Sequence, residues 1–246
     1  MWQTVKNKTR YEVRSAGNTR RLYTNGVLHT QYNPEKAVTG NIWDLLFLPA
    51  LLRPDATIKR ILILGVGGGA VVNLLNRYIQ PNRVIGVDLS KIHLRIARDF
   101  FSVKGANIQL IRANAVDWVS RYRGQPFDYI VEDLFVDEEG EPVRAVEMDK
   151  TWAARLFRIL NKEGVLVMNF ESTAELKKSA LFTCEAVNKS LHSLLVLKSP
   201  QNENSVAVLS RKPLHIPDLL QRIRKIPRLD AAYKSAQLRY SIRRKI

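Results

Sequence analysis

From Lys59 to Arg211, short apolar runs alternate with amphipathic stretches along this chain. The runs Ile61–Leu64, Val84–Val87, Ile108–Ile111, Tyr129–Val131 and Val165–Phe170 are brief and continuous, which predicts strands buried on both faces. Between them, Ala70–Tyr78, Lys91–Val103, Ala115–Tyr122 and Asp149–Leu160 space their apolar residues as helices do. Strand and helix alternating in this way predict an α/β fold, a parallel sheet with helices on both faces. Ser172–Asn188 reads as one further helix. Leu194–Leu197 and Val206–Leu209 flank Gln201-Asn202-Glu203-Asn204, a turn composition that predicts an antiparallel hairpin closing the sheet.

The two ends follow other patterns. Arg10–Val13, Arg21–Tyr23 and Val27–Gln31 are β-prone pieces around Asn18 and Asn25-Gly26, which predicts a small N-terminal sheet. Pro213 and Pro217 punctuate the exit from the main sheet, and Pro227 splits the tail into two short helices. Leu219, Leu220, Ile223 and Ile226 recur at helical spacing there, so one face of the tail is expected to dock. The expected divisions are 1–58, a β region with a linker helix, 59–212, the α/β domain, and 213–246, a basic helical extension.

Charge sharpens that division. The 246 residues carry a formal net charge of +16. Residues 211–246 hold eleven Lys or Arg against two acids, residues 1–40 hold seven against two, and the middle is nearly neutral. Basic ends fit nucleic acid, an anionic surface or simple solubility. The hydrophobic fraction of 46% excludes global disorder. The longest apolar run, Leu45 to Leu52, contains Pro49 and is too short to span a membrane. Met1–Lys8 has no apolar signal core, and Cys184 is the single cysteine, so a reducing cytoplasmic location without disulfides is expected. His29, His93, His192 and His215 are scattered without metal-ligand spacing, so no metal is expected.

The segment with the clearest chemistry is Ile61-Leu62-Ile63-Leu64-Gly65-Val66-Gly67-Gly68-Gly69-Ala70. A buried strand runs into a glycine cluster and then into a helix. Glycines allow a ligand to approach the backbone, and the helix start offers free N–H groups. The next strand ends in Val87-Asp88, whose carboxylate is placed to accept hydrogen bonds from two ribose hydroxyls. Gly65-x-Gly67-x-x-Ala70 matches a dinucleotide fingerprint, while Gly65-x-Gly67-x-Gly69 matches an S-adenosylmethionine loop.

Later segments favour the second match. Arg112-Ala113-Asn114-Ala115 resembles the class I methyltransferase position that meets the adenine edge, although Asn114 also suits a simple helix N-cap. Phe127-Asp128-Tyr129-Ile130-Val131-Glu132-Asp133 resembles the fourth-strand motif whose closing Asp stands beside the reacting group. Asp133 as a turn former is the plainer alternative. The terminal hairpin resembles the antiparallel seventh strand of that fold.

Within the superfamily the chain resembles the spermidine synthases. Arg21-Leu22-Tyr23-Thr24-Asn25-Gly26-Val27-Leu28-His29 is similar to their N-terminal hairpin, with its Leu-x-x-Asp-Gly-x-x-Gln pattern. Asn41-Ile42-Trp43-Asp44 occupies the place of their Tyr-His-Glu-Met segment, and Asp133-Leu134-Phe135 resembles their aspartate loop. The chain departs from the family at Val66, Gly68 and Ala70 in the glycine loop, and at His29, Ile42, Trp43 and Asn114. Gly68 stands where the family has Asp. The departures fall mostly on the amine-binding half, and the nucleoside-binding half matches.

The resemblance implies a doubly wound, mostly parallel seven-stranded sheet of the Rossmann-like methyltransferase type. It implies S-adenosylmethionine or its decarboxylated form as donor, a small amine as acceptor, and methyl or aminopropyl transfer. Gly65, Gly67, Gly69, Asp88, Leu89, Asn114 and Ala115 would hold the donor, and Asp133 would be catalytic. The acidic stretch Asp137-Glu138-Glu139-Gly140-Glu141 either attracts a cationic substrate or is a solvated loop. Rival readings are an RNA or protein methyltransferase that holds a polyanion with its basic ends, and a nucleoside-binding module without catalysis. A homodimer, and nucleic acid bound through the C-terminal tail, stay open as partners.

Overall fold

The computed structural model describes residues 1–138 and 141–245. Strands β1 (Trp2–Lys6), β2 (Thr9–Ala16), β3 (Thr19–Thr24) and β4 (Val27–Tyr32) form an antiparallel meander in chain order. Asn25 and Gly26 turn β3 into β4 with φ of 49° and 89°, the left-handed pair a two-residue hairpin needs. The sequence reading began this sheet at Arg10. β1 escaped it because it buries little, with Val5 67% exposed.

Helix α1 (Ile42–Phe47) is buried at every residue, and a 3-10 turn follows at Leu48–Leu52. Asn41 is the N-cap of α1, and Asp44 at the third helical position completes its capping box. The Asp44 carboxylate accepts from the Thr39 N–H at 2.8 Å and the Gly40 N–H at 2.7 Å, which fixes the approach to Asn41, Ile42 and Trp43.

The chain then winds through β5 (Arg60–Leu64), α2 (Ala70–Tyr78), β6 (Arg83–Asp88), α3 (Lys91–Phe101), β7 (Ile108–Arg112), α4 (Ala115–Arg121) and β8 (Phe127–Glu132). A short antiparallel pair, β9 (Phe135–Glu138) and β10 (Glu141–Arg144), precedes α5 (Lys150–Ile159) and β11 (Leu160–Phe170). Helices α6 (Thr173–Lys178), α7 (Ala180–Thr183) and α8 (Glu185–Lys189) lead to β12 (Ser193–Lys198) and β13 (Ser205–Ser210). Helices α9 (Ile216–Lys225) and α10 (Pro227–Lys234) and strand β14 (Ser241–Arg244) close the chain.

The main sheet runs β14-β12-β13-β11-β8-β5-β6-β7. Strands β7, β6, β5, β8 and β11 are parallel, and β13, β12 and β14 pair antiparallel. Side chains alternate between two cores. Ile61 and Ile63 face one that contains α2 and α3, and Leu62 and Leu64 face the other with Trp152 and Leu156 of α5. Strand order reverses at β5 and β8, so the loops leaving their carboxyl ends splay apart and open a crevice.

Three expectations change. Among the described residues the sheet is mixed and has eight strands, not seven, because the tail is not wholly helical. Its last segment pairs with β12, Leu197 opposite Ile242, and so satisfies an edge that would otherwise carry unpaired backbone groups. The single helix read over Ser172–Asn188 is three short ones. It breaks at Ser179, where the Ala180 N–H donates to the Met148 carbonyl at 2.8 Å instead of continuing the helix.

The two tail helices appear as read, divided at Pro227. They are docked, with Leu219, Ile223 and Leu229 at 0–1% exposure in the same core as Phe47 and Leu75. Ile223→Ala should therefore destabilise the protein by about 2–5 kcal/mol. The exposed neighbouring change Arg224→Ala should stay within about 0.5 kcal/mol. Urea melts of the two variants measure the difference. Among the described residues, no helix is long and apolar enough to cross a membrane.

Candidate functional site

The crevice at the strand reversal has a volume of about 1110 Å³. Its walls come from the loops after β5, β6, β7 and β8, from β4 and the β1–β2 turn, and from the base of the β9–β10 pair. Gly65, Gly67, Asp88, Leu89, Asn114, Ala115 and Asp133 all line it. Gly69 does not. It lies behind the loop, where an added Cβ would strike Val103.

The glycine loop is confined on two sides. Gly65 has φ +86°, and a Cβ there would overlap the Asp133 carbonyl oxygen. The loop and the end of β8 therefore touch through bare backbone, which only glycine permits. On the other side, the Gly68 N–H donates to Thr30 Oγ1 at 2.7 Å, and a Cβ on Gly68 would sit 2.9 Å from the Thr30 Cβ. The N-terminal sheet thus roofs the loop with Thr30, a contact 38 residues apart in sequence.

Asp88 holds this loop in shape. One carboxylate oxygen accepts from the Val66 and Gly67 N–H groups, both at 3.0 Å, and the other from the Ser90 N–H at 2.8 Å. His93 stands 3.9 Å away, its ring joined to Thr24 Oγ1 at 2.9 Å, and burial lowers its proton affinity. Beyond Asp88, Leu89 is 65% exposed, an apolar platform on the crevice wall that suits a flat ring.

Asn114 is the N-cap of α4. Its Oδ1 accepts from the Val116 N–H at 2.9 Å and the Asp117 N–H at 3.2 Å. Both lone pairs are committed, so only its amide donors remain for a ligand. Asp128, near the start of β8, is structural: it accepts from the Lys59 and Arg60 N–H groups, both at 2.9 Å.

Asp133 directly follows β8, its N–H donating to the Leu64 carbonyl at 2.8 Å. Its carboxylate accepts from Asn169 Nδ2 at 2.8 Å, and Asn169 Oδ1 accepts in turn from Asn204 Nδ2 at 3.1 Å. Burial pushes its carboxyl up to about 6. The Asn169 hydrogen bond opposes the rise, and the neighbouring Glu132 adds to it. A carboxylate so placed is ionised at neutral pH yet able to take a proton.

Sequence reasoning missed Thr30, His93, Asn169 and Asn204. Only Asn169 left a trace, as one polar residue inside the apolar run Val165–Phe170. Asn169, Glu171, Glu203 and Asn204 line the crevice together with Asn41 and Trp43. Of the acidic stretch, Glu139 and Gly140 lie outside the described residues. Among the described residues, no group of His, Cys, Asp and Glu has the geometry of a metal site.

Known proteins resemble this arrangement. A family described as "Methyltransferase domain" matches residues 61–164. Polyamine aminopropyltransferase 2 of Caldanaerobacter subterraneus subsp. tengcongensis is 30% identical over 143 residues, 56% of this chain and 47% of that protein. The chain spans about half the length of the curated relatives it matches. Spermidine synthase from Thermotoga maritima superposes with a TM-score of 0.67 at 15% identity, over 92% of this chain and 77% of that one. A probable spermidine synthase from Corynebacterium glutamicum gives 0.71 at 14% identity, over 87% and 81%. With its mixed sheet and its separate N-terminal β-sheet, the chain has the Rossmann-like methyltransferase fold, and its sequence is similar to those of polyamine aminopropyltransferases.

Proposed function

We propose that this protein transfers an alkyl group from an S-adenosylmethionine-type sulfonium donor to a small amine, with aminopropyl transfer from the decarboxylated donor as the leading reading. The observation that carries it is the meeting of the Gly65–Gly69 loop with Asp133 across a backbone contact, in one crevice with Asp88. The residues present fit a nucleoside. Asp88 is the acceptor for the ribose, Leu89 and Ala115 face a flat ring, and the Asn114 amide donates to an acceptor on its edge.

A sulfonium carbon is already electrophilic, so alignment and an unprotonated amine suffice. The amine nitrogen attacks that carbon, the carbon–sulfur bond breaks, and its electron pair stays on sulfur as a thioether. Asp133 orients the amine and takes its proton. Glu171 and Glu203 line the same crevice and supply negative charge for a cationic acceptor in a chain that is otherwise basic.

A second reading, methyl transfer from the intact donor, is favoured by Gly68. The resemblance places a carboxylate at this position in the family, and the Thr30 roof leaves no room for a side chain there. Calorimetry with the intact donor, the decarboxylated donor and methylthioadenosine tests both. Preference for the decarboxylated donor supports aminopropyl transfer, preference for the intact one supports methyl transfer, and no binding of any of them overturns the assignment. Asp88→Ala should weaken methylthioadenosine binding by roughly 10- to 100-fold, since hydrogen bonds to a charged group are lost and the loop is freed. Unchanged affinity would remove the ribose role.

A further inference from the structure

Behind Asp133 lies a buried charge cluster that the proposed chemistry does not use. Arg144, the last residue of β10, has a side chain only 4% exposed. Its two terminal nitrogens grip both carboxylate oxygens of Glu132, at 2.9 and 3.0 Å. They also donate to the carbonyls of Asn169 and, at 3.0 Å, Val146. Its Nε stands 3.1 Å from Glu175, and its guanidinium lies 4.5 Å from the centre of the Phe170 ring. Glu132 is fully buried and also accepts from the Trp152 ring N–H at 3.3 Å.

Two of the residues that Arg144 binds are neighbours of the catalytic candidate. Glu132 precedes Asp133 in the chain, and Asn169 donates to its carboxylate. The charged groups acting on Asp133 are Glu132 at the end of β8, Asp88 at the end of β6 and Arg144 from β10, with Glu175 of α6 facing Arg144. Asn169 of β11 is its neutral partner. Arg144 is the one cation in that set.

We propose that Arg144 is a positioning residue for Asp133: it clamps Glu132 and Asn169 around the carboxylate and supplies the buried positive charge that keeps it anionic. The hairpin β9–β10 is then the carrier of this charge as well as a wall of the crevice. Burial and Glu132 push Asp133 towards its protonated form, and Arg144 opposes both. The kinetic consequence rests on the proposed transferase reading. The ionisation itself is measurable without turnover.

Removing Arg144 alone would strand the Glu132 charge in the core and threaten folding. The comparison is therefore made on a neutral background. The carboxyl carbon of Asp133 is titrated by NMR in the full chain, labelled with ¹³C-aspartate and assigned through Asp133→Asn. Glu132→Gln should lower the midpoint, because a repulsive neighbour is lost and the cation stays. Glu132→Gln/Arg144→Gln should raise it again by roughly one unit or more, a tenfold change in proton affinity. Glu132→Gln/Arg144→Lys should recover most of that shift, since charge returns without the fork. Glu132→Leu/Arg144→Met, an apolar replacement of the whole pair, also removes the cation and provides the same readout should the double glutamine variant not fold. Equal midpoints in Glu132→Gln and Glu132→Gln/Arg144→Gln would overturn the proposal. Shifted midpoints with full turnover in Asp133→Asn would instead overturn the catalytic reading and leave the positioning role intact.

Discussion

Asp133→Asn should lower turnover with an amine acceptor roughly 10²- to 10⁴-fold while leaving methylthioadenosine affinity unchanged. The asparagine keeps the size of the side chain and an oxygen that still accepts from Asn169, so the crevice keeps its shape. What disappears is the negative charge and the site for a proton. The wild-type rate should also fall on acidification with a midpoint near pH 6. The Asp133 carboxyl is raised to about 6, so the anion proposed as the base is present above that pH and lost as pH drops through it. The variant should lose this acid limb. Steady-state rates between pH 5 and 8, with product affinity measured in parallel, check both points. A variant as fast as wild type would show that Asp133 only shapes the turn.

Gly65→Ala should damage fold and site together. The new methyl group would overlap the Asp133 carbonyl oxygen at a residue held at φ +86°. That overlap involves backbone, and neither partner is free to move. The Gly65 N–H is bonded to the Val87 carbonyl at 2.9 Å, and the Asp133 N–H to the Leu64 carbonyl at 2.8 Å. Left-handed strain and overpacking together predict a loss of about 2–5 kcal/mol, with nucleoside binding abolished. Gly17 supplies the control. It also has positive φ, +55°, but an added Cβ there meets nothing within 4 Å. Gly17→Ala should cost only about 1–2 kcal/mol and leave binding intact. Chemical denaturation and calorimetry on the pair separate backbone strain from close approach. Equal effects at the two positions would show that the β5–β8 contact has no special role.

Both predictions rest on residues that the sequence brought forward, but their partners were not visible there. Gly65, Asp88 and Asp133 each close an apolar run, and a polar or glycine residue at the end of a buried strand is a local signal. Thr30, Asn204 and Arg144 carry no such signal, and Asn169 carries only the trace of one polar residue inside an apolar run. Thr30 matters because β4 lies over the glycine loop, and Arg144 because a hairpin returns it beneath Asp133's neighbours. The same distinction holds for Asn114. Its place at a helix start was readable, whereas the commitment of its Oδ1 to two backbone donors needed coordinates. The tail shows it at the level of the fold. Helical spacing located the buried face of α9, but Ser241–Arg244 is polar and short, and it becomes a strand only because β12 offers an open edge.

The sequence by itself determined the alternating strands and helices of the main sheet, the glycine turn after β5 and the acids that end β6 and β8. These follow from local periodicity and from backbone conformations that few residues adopt. The tertiary structure alone decided which side chains meet across the crevice, that Asp133 is held at a carboxyl value near 6, and that the end of the basic tail joins the main sheet as β14. Burial, and the charges that burial brings together, depend on contacts between segments far apart in the chain, and no window along the sequence contains them.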